Sequence, residues 1–332
     1  MCKAKKEKEM TKRSIVLLLA VLVALGCAAS LGAQVKPKAE QLYVEVSALN
    51  SLEYFYDHKE GMRMVGEDLG VKTEYTGPAD YDMNAVAAAI DNAIVKKAAG
   101  IVLVGWEESL NGAIKKAIDA GIPVVTCDAD IASSARVAFV GTSNYSAGQD
   151  LAKWWIKKLG GKGKIALVGM PTLSNIRDRI EGMKNVFATS KIEIVTIGDS
   201  KTDAVGSAAT ATAILQKYPD LSGMIGVDSH SGLGIGTAVR EAGKAGKIVV
   251  TGWDRDNSLL ELIDKGIVQG TVVQRTALMP YYSVMILFQM YNSKVALTSN
   301  DKAAKIYNIP GFIDTGIMIV EKEQAKNFIR KK

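Results

Sequence analysis

The chain has 332 residues, 48% of them hydrophobic and 23% charged, and a formal net charge of +6. This composition excludes a disordered chain and a multi-span membrane protein, and the length suits two domains that each bury a core. The first 26 residues hold six Lys or Arg against two Glu, so the rest is near +2 and offers no basic surface for nucleic acid.

In chain order, Lys12-Arg13 precede an apolar run from Ile15 to Leu25, followed by Gly26-Cys27 and small residues. Residues 1–33 read as a secretory leader, too short to span a bilayer comfortably. Met10 is an alternative start to Met1. ALGC resembles a bacterial lipobox, which makes Cys27 a candidate lipid anchor, although Ala24 and Leu25 depart from the usual residues there. Cleavage after Ala33 is the alternative. The expected location is the periplasm or the outer face of the cytoplasmic membrane. Cys2 lies in the doubtful extension and Cys127 stands alone, so no intramolecular disulfide is expected.

After the linker Val35-Lys36-Pro37-Lys38, strand and helix patterns alternate. Strands are expected at 42–48, 71–76, 101–105, 123–127 and 137–141. Helices are expected over Tyr54–Leu69, Met83–Ala98, Glu107–Ala120 and through Trp154-Trp155. The series restarts at Gly160-Gly161-Lys162-Gly163, with strands at 164–169, 192–198, 224–228, 247–254 and 270–274. Its helices are Asn175–Ser190, Asp203–Lys217, Leu233–Ala242, Asn257–Lys265 and the long apolar Leu278–Tyr291. This is an α/β chain of two Rossmann-like lobes with mostly parallel sheets. The short elements Ile306–Ile309 and Gly316–Val320 are candidates to cross back between the lobes.

In parallel sheets, ligands sit beyond the carboxyl ends of the strands. Asp128 and Asp130 fall there in IPVVTCDADI, and strand alternation would put them on one side; a polar turn is the bland reading. Asp228, Asp254 and Gln274 also end strands, with helix capping as the competing role for all three. Arg177 and Arg179 open a helix, where Arg177 has Glu181 as an alternative partner one turn on. The run Gly232-Leu233-Gly234-Ile235-Gly236 only imitates a dinucleotide fingerprint, because its spacing is wrong. No nucleophile elbow and no Cys/His metal spacing occurs, so neither catalysis, cofactor nor metal is expected.

Taken together, Tyr54-Phe55, IPVVTCDAD, VGTSNYSAG, IRDRIEG, IGVDSHSGLG, VVTGWD and VVQ, in that order, resemble the periplasmic sugar-binding proteins of the ribose/galactose-binding type over roughly residues 41–320. The resemblance implies a type I periplasmic binding protein fold with a three-strand hinge. Its N-terminal lobe would be 41–142 plus 276–297, and its C-terminal lobe 143–275 plus 298–332. It implies a substrate-binding subunit of an ABC importer, monomeric, that delivers a small polar ligand, most simply a monosaccharide, to a permease. The ligand set it implies is Asp128, Asp130, Arg177, Asp228, Asp254 and Gln274, with Tyr54 and Phe55 stacking and Asn50 adding a polar contact. Arg179 is expected to be structural. Ala129 and Thr202 or Asp203 depart from the family's usual Arg and aromatic, so Trp106 and Trp253 are candidate stackers, and the excess of acids keeps an aminated or nucleoside ligand open. Presentation of the ligand to a sensory receptor is the alternative to transport. A repressor of the same fold would need a DNA-binding domain, for which the leader leaves no room.

Overall fold

A computed structural model describes residues 35–201, 203–292, 297–298, 301–304 and 306–330. The leader, including Cys27 and the choice between Met1 and Met10, lies outside the described residues. The first sheet contains β1 (Leu42–Val46), β2 (Lys72–Thr76), β3 (Gly100–Leu103), β4 (Val124–Cys127) and β5 (Ala138–Gly141). Helices α1 (Tyr56–Leu69), α2 (Met83–Val95) and α3 (Asn111–Asp119) connect them. The chain then crosses to α4 (Asn144–Leu159), β6 (Lys162–Gly169), α5 (Ser174–Phe187), β7 (Lys191–Asp199), α6 (Ala204–Lys217), β8 (Gly223–Gly226), α7 (Ser231–Glu241), β9 (Val249–Trp253), α8 (Asn257–Asp264) and β10 (Gly270–Gln274). It returns for α9 (Leu278–Asn292) and ends with β11 (Phe312–Asp314) and β12 (Ile317–Glu321).

The sheet orders are β11-β5-β4-β3-β1-β2 and β12-β10-β9-β8-β6-β7. All pairings are parallel except β10 with β12. Each sheet is therefore the same doubly wound pattern, with a tail strand at the matching edge.

Strand alternation explains why each sheet has two apolar faces. Tyr43 of β1 and Val125 of β4 join a core with α1 and α9, whereas Val44 and Val124 join one with α2 and α3. In the second sheet, Leu167 and Val272 pack beside α4 and α5, and Val168 and Val273 beside α6, α7 and α8. Fully burying side chains of this size contributes roughly 1.5–3 kcal/mol each. Helices α4 and α5 touch through glycines. A Cβ on Gly148 would lie 2.1 Å from the Arg179 carbonyl oxygen, and one on Gly182 would lie 2.1 Å from that of Tyr145. Among the described residues, no helix is long and apolar enough to cross a membrane.

Three crossings join the lobes, and they bond to one another. Thr142 Oγ1 donates to Gln274 Oε1 at 2.7 Å, Ser143 N–H to Asp314 at 3.0 Å, and Thr315 N–H to the Gly141 carbonyl at 2.9 Å. The tail corrects one boundary. Residues 298–332 do not all belong to the second lobe, because β11 extends the first sheet beside β5 before Thr315-Gly316 crosses to β12. The chain leaves α9 on the first lobe, so the next available edge is β5. No strand forms at Ile306–Ile309.

Candidate functional site

A cavity of about 430 Å³ lies between the carboxyl ends of the two sheets. The first lobe contributes Leu49, Leu52, Tyr54, Tyr81, Trp106 and Asp128. The second contributes Met170, Leu173, Asn175, Ile176, Arg179, Asp228, Ser229, His230, Asp254 and Gln274. Apolar walls with a few convergent polar groups are what a small-molecule site requires.

Asp128 and Asp254 occupy matching places. Each follows the fourth strand of its sheet, and each has left-handed backbone, φ 65° and 67°. Their N–H groups donate to the next strand, to the carbonyls of Val140 at 3.2 Å and Val272 at 2.7 Å. Outside glycine this conformation is uncommon, though aspartate tolerates it better than most residues. It ends the strand and turns the carboxylate into the cavity. Asp128 accepts from the Tyr54 hydroxyl at 2.6 Å and Trp106 Nε1 at 3.3 Å. Asp254 accepts from Gln274 Nε2 at 2.9 Å and from the Ser229 hydroxyl. Burial raises the Asp254 pKa above the ordinary carboxylate value, although Arg179, Gln274 and Ser229 work in the other direction. Burial, then Asp128, likewise pushes the Tyr54 hydroxyl well above its usual range.

Arg179 is the guanidinium in the cavity wall. It is buried, lies 4.0 Å from the Trp253 ring centre, and donates to Asn144 Oδ1 at 2.8 Å and the Val227 carbonyl at 2.9 Å. A longer contact of 3.5 Å reaches Gln274 Oε1. Burial lowers its pKa against the opposing pull of Asp254 and the other nearby acids. Arg177, two residues earlier on α5, is exposed and does not line the cavity. Asp228 combines both expected roles. It lines the cavity, accepts from Ser200 at 2.6 Å, and caps α7 through the N–H groups of His230 and Ser231.

The structure places four other candidates elsewhere. Asp130 pairs with Arg136 and accepts from Thr126 at 2.7 Å, away from the cavity. Alternation fails here because the strand ends at Cys127, before Asp130. Phe55 is fully buried, edge-on to Tyr54 and His58. Trp253 is fully buried on the α4–α5 face with Arg179 over its ring. Asn50 binds the Gly77 carbonyl at 3.3 Å outside the cavity. Sequence reasoning missed Tyr81, which stacks on Trp106 with centroids 5.8 Å apart and donates to Glu107. It also missed the aliphatic wall from Leu49 to Ile176. Apolar residues in loops carry no chemical signature; the Tyr81 loop, GPADYD, offered only turn residues.

Below Asp128, the buried Glu45 and His58 form a 2.6 Å hydrogen-bonded pair, and the Cys127 thiol reaches the same Glu45 oxygen at 3.9 Å. The short Glu45–His58 distance is that of a charge-assisted hydrogen bond. Despite burial, which disfavours it, the imidazole pKa is raised by Glu45.

The chain is similar to known proteins in sequence and in fold. The chain is 24% identical over 244 residues to a D-ribose/D-allose-binding protein of Pseudomonas aeruginosa, covering 71% of this chain and 74% of that protein. It is 32% identical over 207 residues to a D-apiose import binding protein of Paraburkholderia graminis, covering 60% and 65%. The structure of AraP, an arabinose binding protein from Geobacillus stearothermophilus, superposes with a TM-score of 0.80 at 30% identity, over 87% of this chain and 99% of that one. The periplasmic binding protein domain family matches residues 46–294. With two doubly wound lobes, three crossings and a cavity at the facing strand ends, this chain belongs to the periplasmic binding protein family.

Proposed function

We propose that this protein is the extracytoplasmic solute-binding subunit of an ABC importer, and that it encloses a monosaccharide between its lobes. The observation that carries this reading is the pair of left-handed aspartates, one from each lobe, facing one cavity with Arg179 between apolar walls. Carboxylates accept from sugar hydroxyls, the guanidinium and the Gln274 amide supply donors, and Trp106 and Tyr81 offer ring faces to C–H groups. The ribose, allose, apiose and arabinose named for the relatives support the same ligand class. We assign ligand contact to Tyr54, Trp106, Asp128, Arg179, Asp228, Asp254 and Gln274. The closed form is what a permease would receive, from a monomer held at the membrane by acylated Cys27.

The test is a thermal-shift screen of the chain from residue 35 against aldopentoses, aldohexoses, amino sugars and nucleosides, followed by calorimetry. Binding to the folded state raises the melting temperature by linkage. A shift with a neutral monosaccharide is expected. A shift confined to aminated or nucleoside ligands would replace the sugar assignment while keeping the site.

A further inference from the structure

The segments that face the cavity carry charged groups on their other side, and these meet across the cleft. Glu53 and Asp57 flank Tyr54 on the first lobe, and Arg255 follows Asp254 on the second. Arg255 holds Asp57 through Nη2 at 2.6 Å and Nε at 3.2 Å. Arg330, from the tail of the second lobe, donates Nη2 to Asp57 and Nη1 to Glu53, both at 2.9 Å. Thr276, beside the second crossing, adds a 2.8 Å hydroxyl bond to Asp57. The tail is strapped down: Arg330 and Asn257 bond in both directions at 3.0 and 3.2 Å, and Arg255 Nη1 holds the Phe328 carbonyl at 3.1 Å.

Isolated exposed ion pairs contribute little, because water and salt screen them. This cluster differs. Two guanidinium forks converge on one carboxylate, and the side chains of Asp57 and Arg330 are only 15% and 14% exposed. Burial by itself raises the Asp57 pKa, but Arg330 and Arg255 outweigh it and hold the carboxyl at about 2. The acids sit on one lobe and the arginines on the other, so rotation about the crossings must separate them.

We propose that Glu53, Asp57, Arg255 and Arg330 form an interlobe clasp that holds the closed form and thereby tunes affinity for a ligand that none of the four touches. The clasp rests on the two-lobe capture reading for its effect on affinity, but not for its effect on shape. Opening about the crossings pulls the forks from Asp57 and rehydrates four charges, so part of the free energy that keeps ligand enclosed resides outside the ligand site. The tail beyond β12 is then functional machinery.

The experiment uses Arg330→Gln, Asp57→Asn and the double variant in the full chain, with folding checked by circular dichroism. Without ligand, X-ray scattering is expected to give a larger radius of gyration for each variant than for wild type. Raising NaCl to about 1 M should bring wild type to the variants' value, since screening weakens the clasp. With whichever of D-ribose, D-allose or L-arabinose binds, the dissociation rate should rise in each single variant, about tenfold in Asp57→Asn, which releases both guanidinium forks, and by less than the product of the two single effects in the double. Equal radii for wild type and folded variants at low salt overturn the proposal, whether or not a sugar is found. If wild type binds none of these sugars, the ligand assignment fails and the radii still decide the clasp. Should Arg330→Gln not fold, Arg255→Gln gives the same readout.

Discussion

The two strand ends that build the cavity share a backbone and differ in electrostatics. Each lobe places an Asp-x-Asp after its fourth strand, Asp128 and Asp130 in one, Asp254 and Asp256 in the other. In both, the first aspartate turns left-handed and faces the cavity. The second aspartate is neutralised by Arg136 in the first lobe, whereas Asp256 has a buried oxygen without a hydrogen-bond partner. Burial, then the charges of Asp254 and Glu53, raise the Asp256 pKa to about 7. The shared topology decides where an acid stands. The donors around it decide in which protonation state it stands.

The comparison breaks most sharply at the first aspartates. Asp128→Ala and Asp254→Ala are each expected to lose on the order of 2–5 kcal/mol of sugar binding by calorimetry, because buried charge-assisted bonds vanish and their partners are left unpaired. Wild-type affinity should begin to fall on acidification above the range of an ordinary carboxylate. That acid limb should disappear in Asp254→Asn, since it is the Asp254 pKa that burial raises.

The second aspartates sharpen it further. With its folded pKa above the unfolded value, Asp256 retains a proton in the folded state that the unfolded chain has released. Its contribution to stability is therefore lost as pH rises from about 4 to about 7. Asp256→Asn should remove that slope and raise the melting temperature at pH 8, the gain in unfolding free energy being no more than about 4 kcal/mol and less where water reaches the group. Gly148→Ala should cost about 1–3 kcal/mol in denaturant unfolding, because its methyl would collide with the Arg179 carbonyl and shift the helix that carries the second lobe's cation. Asp130→Asn is the smallest case. Affinity should stay within about twofold and stability within about 1 kcal/mol, as the lost partner is a partly exposed ion pair.

The alternation of strand and helix was legible because periodicity reports burial directly, and each sheet is buried on both faces. Asp128 and Asp254 were legible as acids at strand ends, but a turn or a helix cap would explain them equally well, and the resemblance rather than their spacing pointed them at a ligand. For Arg177 and Arg179 the expectation is reversed: Arg179, expected to be structural, lines the cavity, whereas Arg177, expected to bind ligand, is exposed. Residues two apart on a helix point about 200° apart, and which one faces inward depends on how α5 lies against Gly148 and Gly182. Asp130 was misjudged by extending strand geometry past a left-handed turn that no local pattern announces. Trp253 faces the core because it lies one step before Asp254 on the strand, where alternation sends it to the other side.

Cys127 has a consequence for the life of the chain outside the cytoplasm. It is the free cysteine among the described residues, fully buried, and burial together with Glu45 raises its pKa well above the usual thiol value. Thiolate is the species that attacks disulfides and oxidants. A buried thiol whose pKa is raised offers little thiolate for such exchange, so Cys127 within the folded domain is shielded from the redox poise of its compartment.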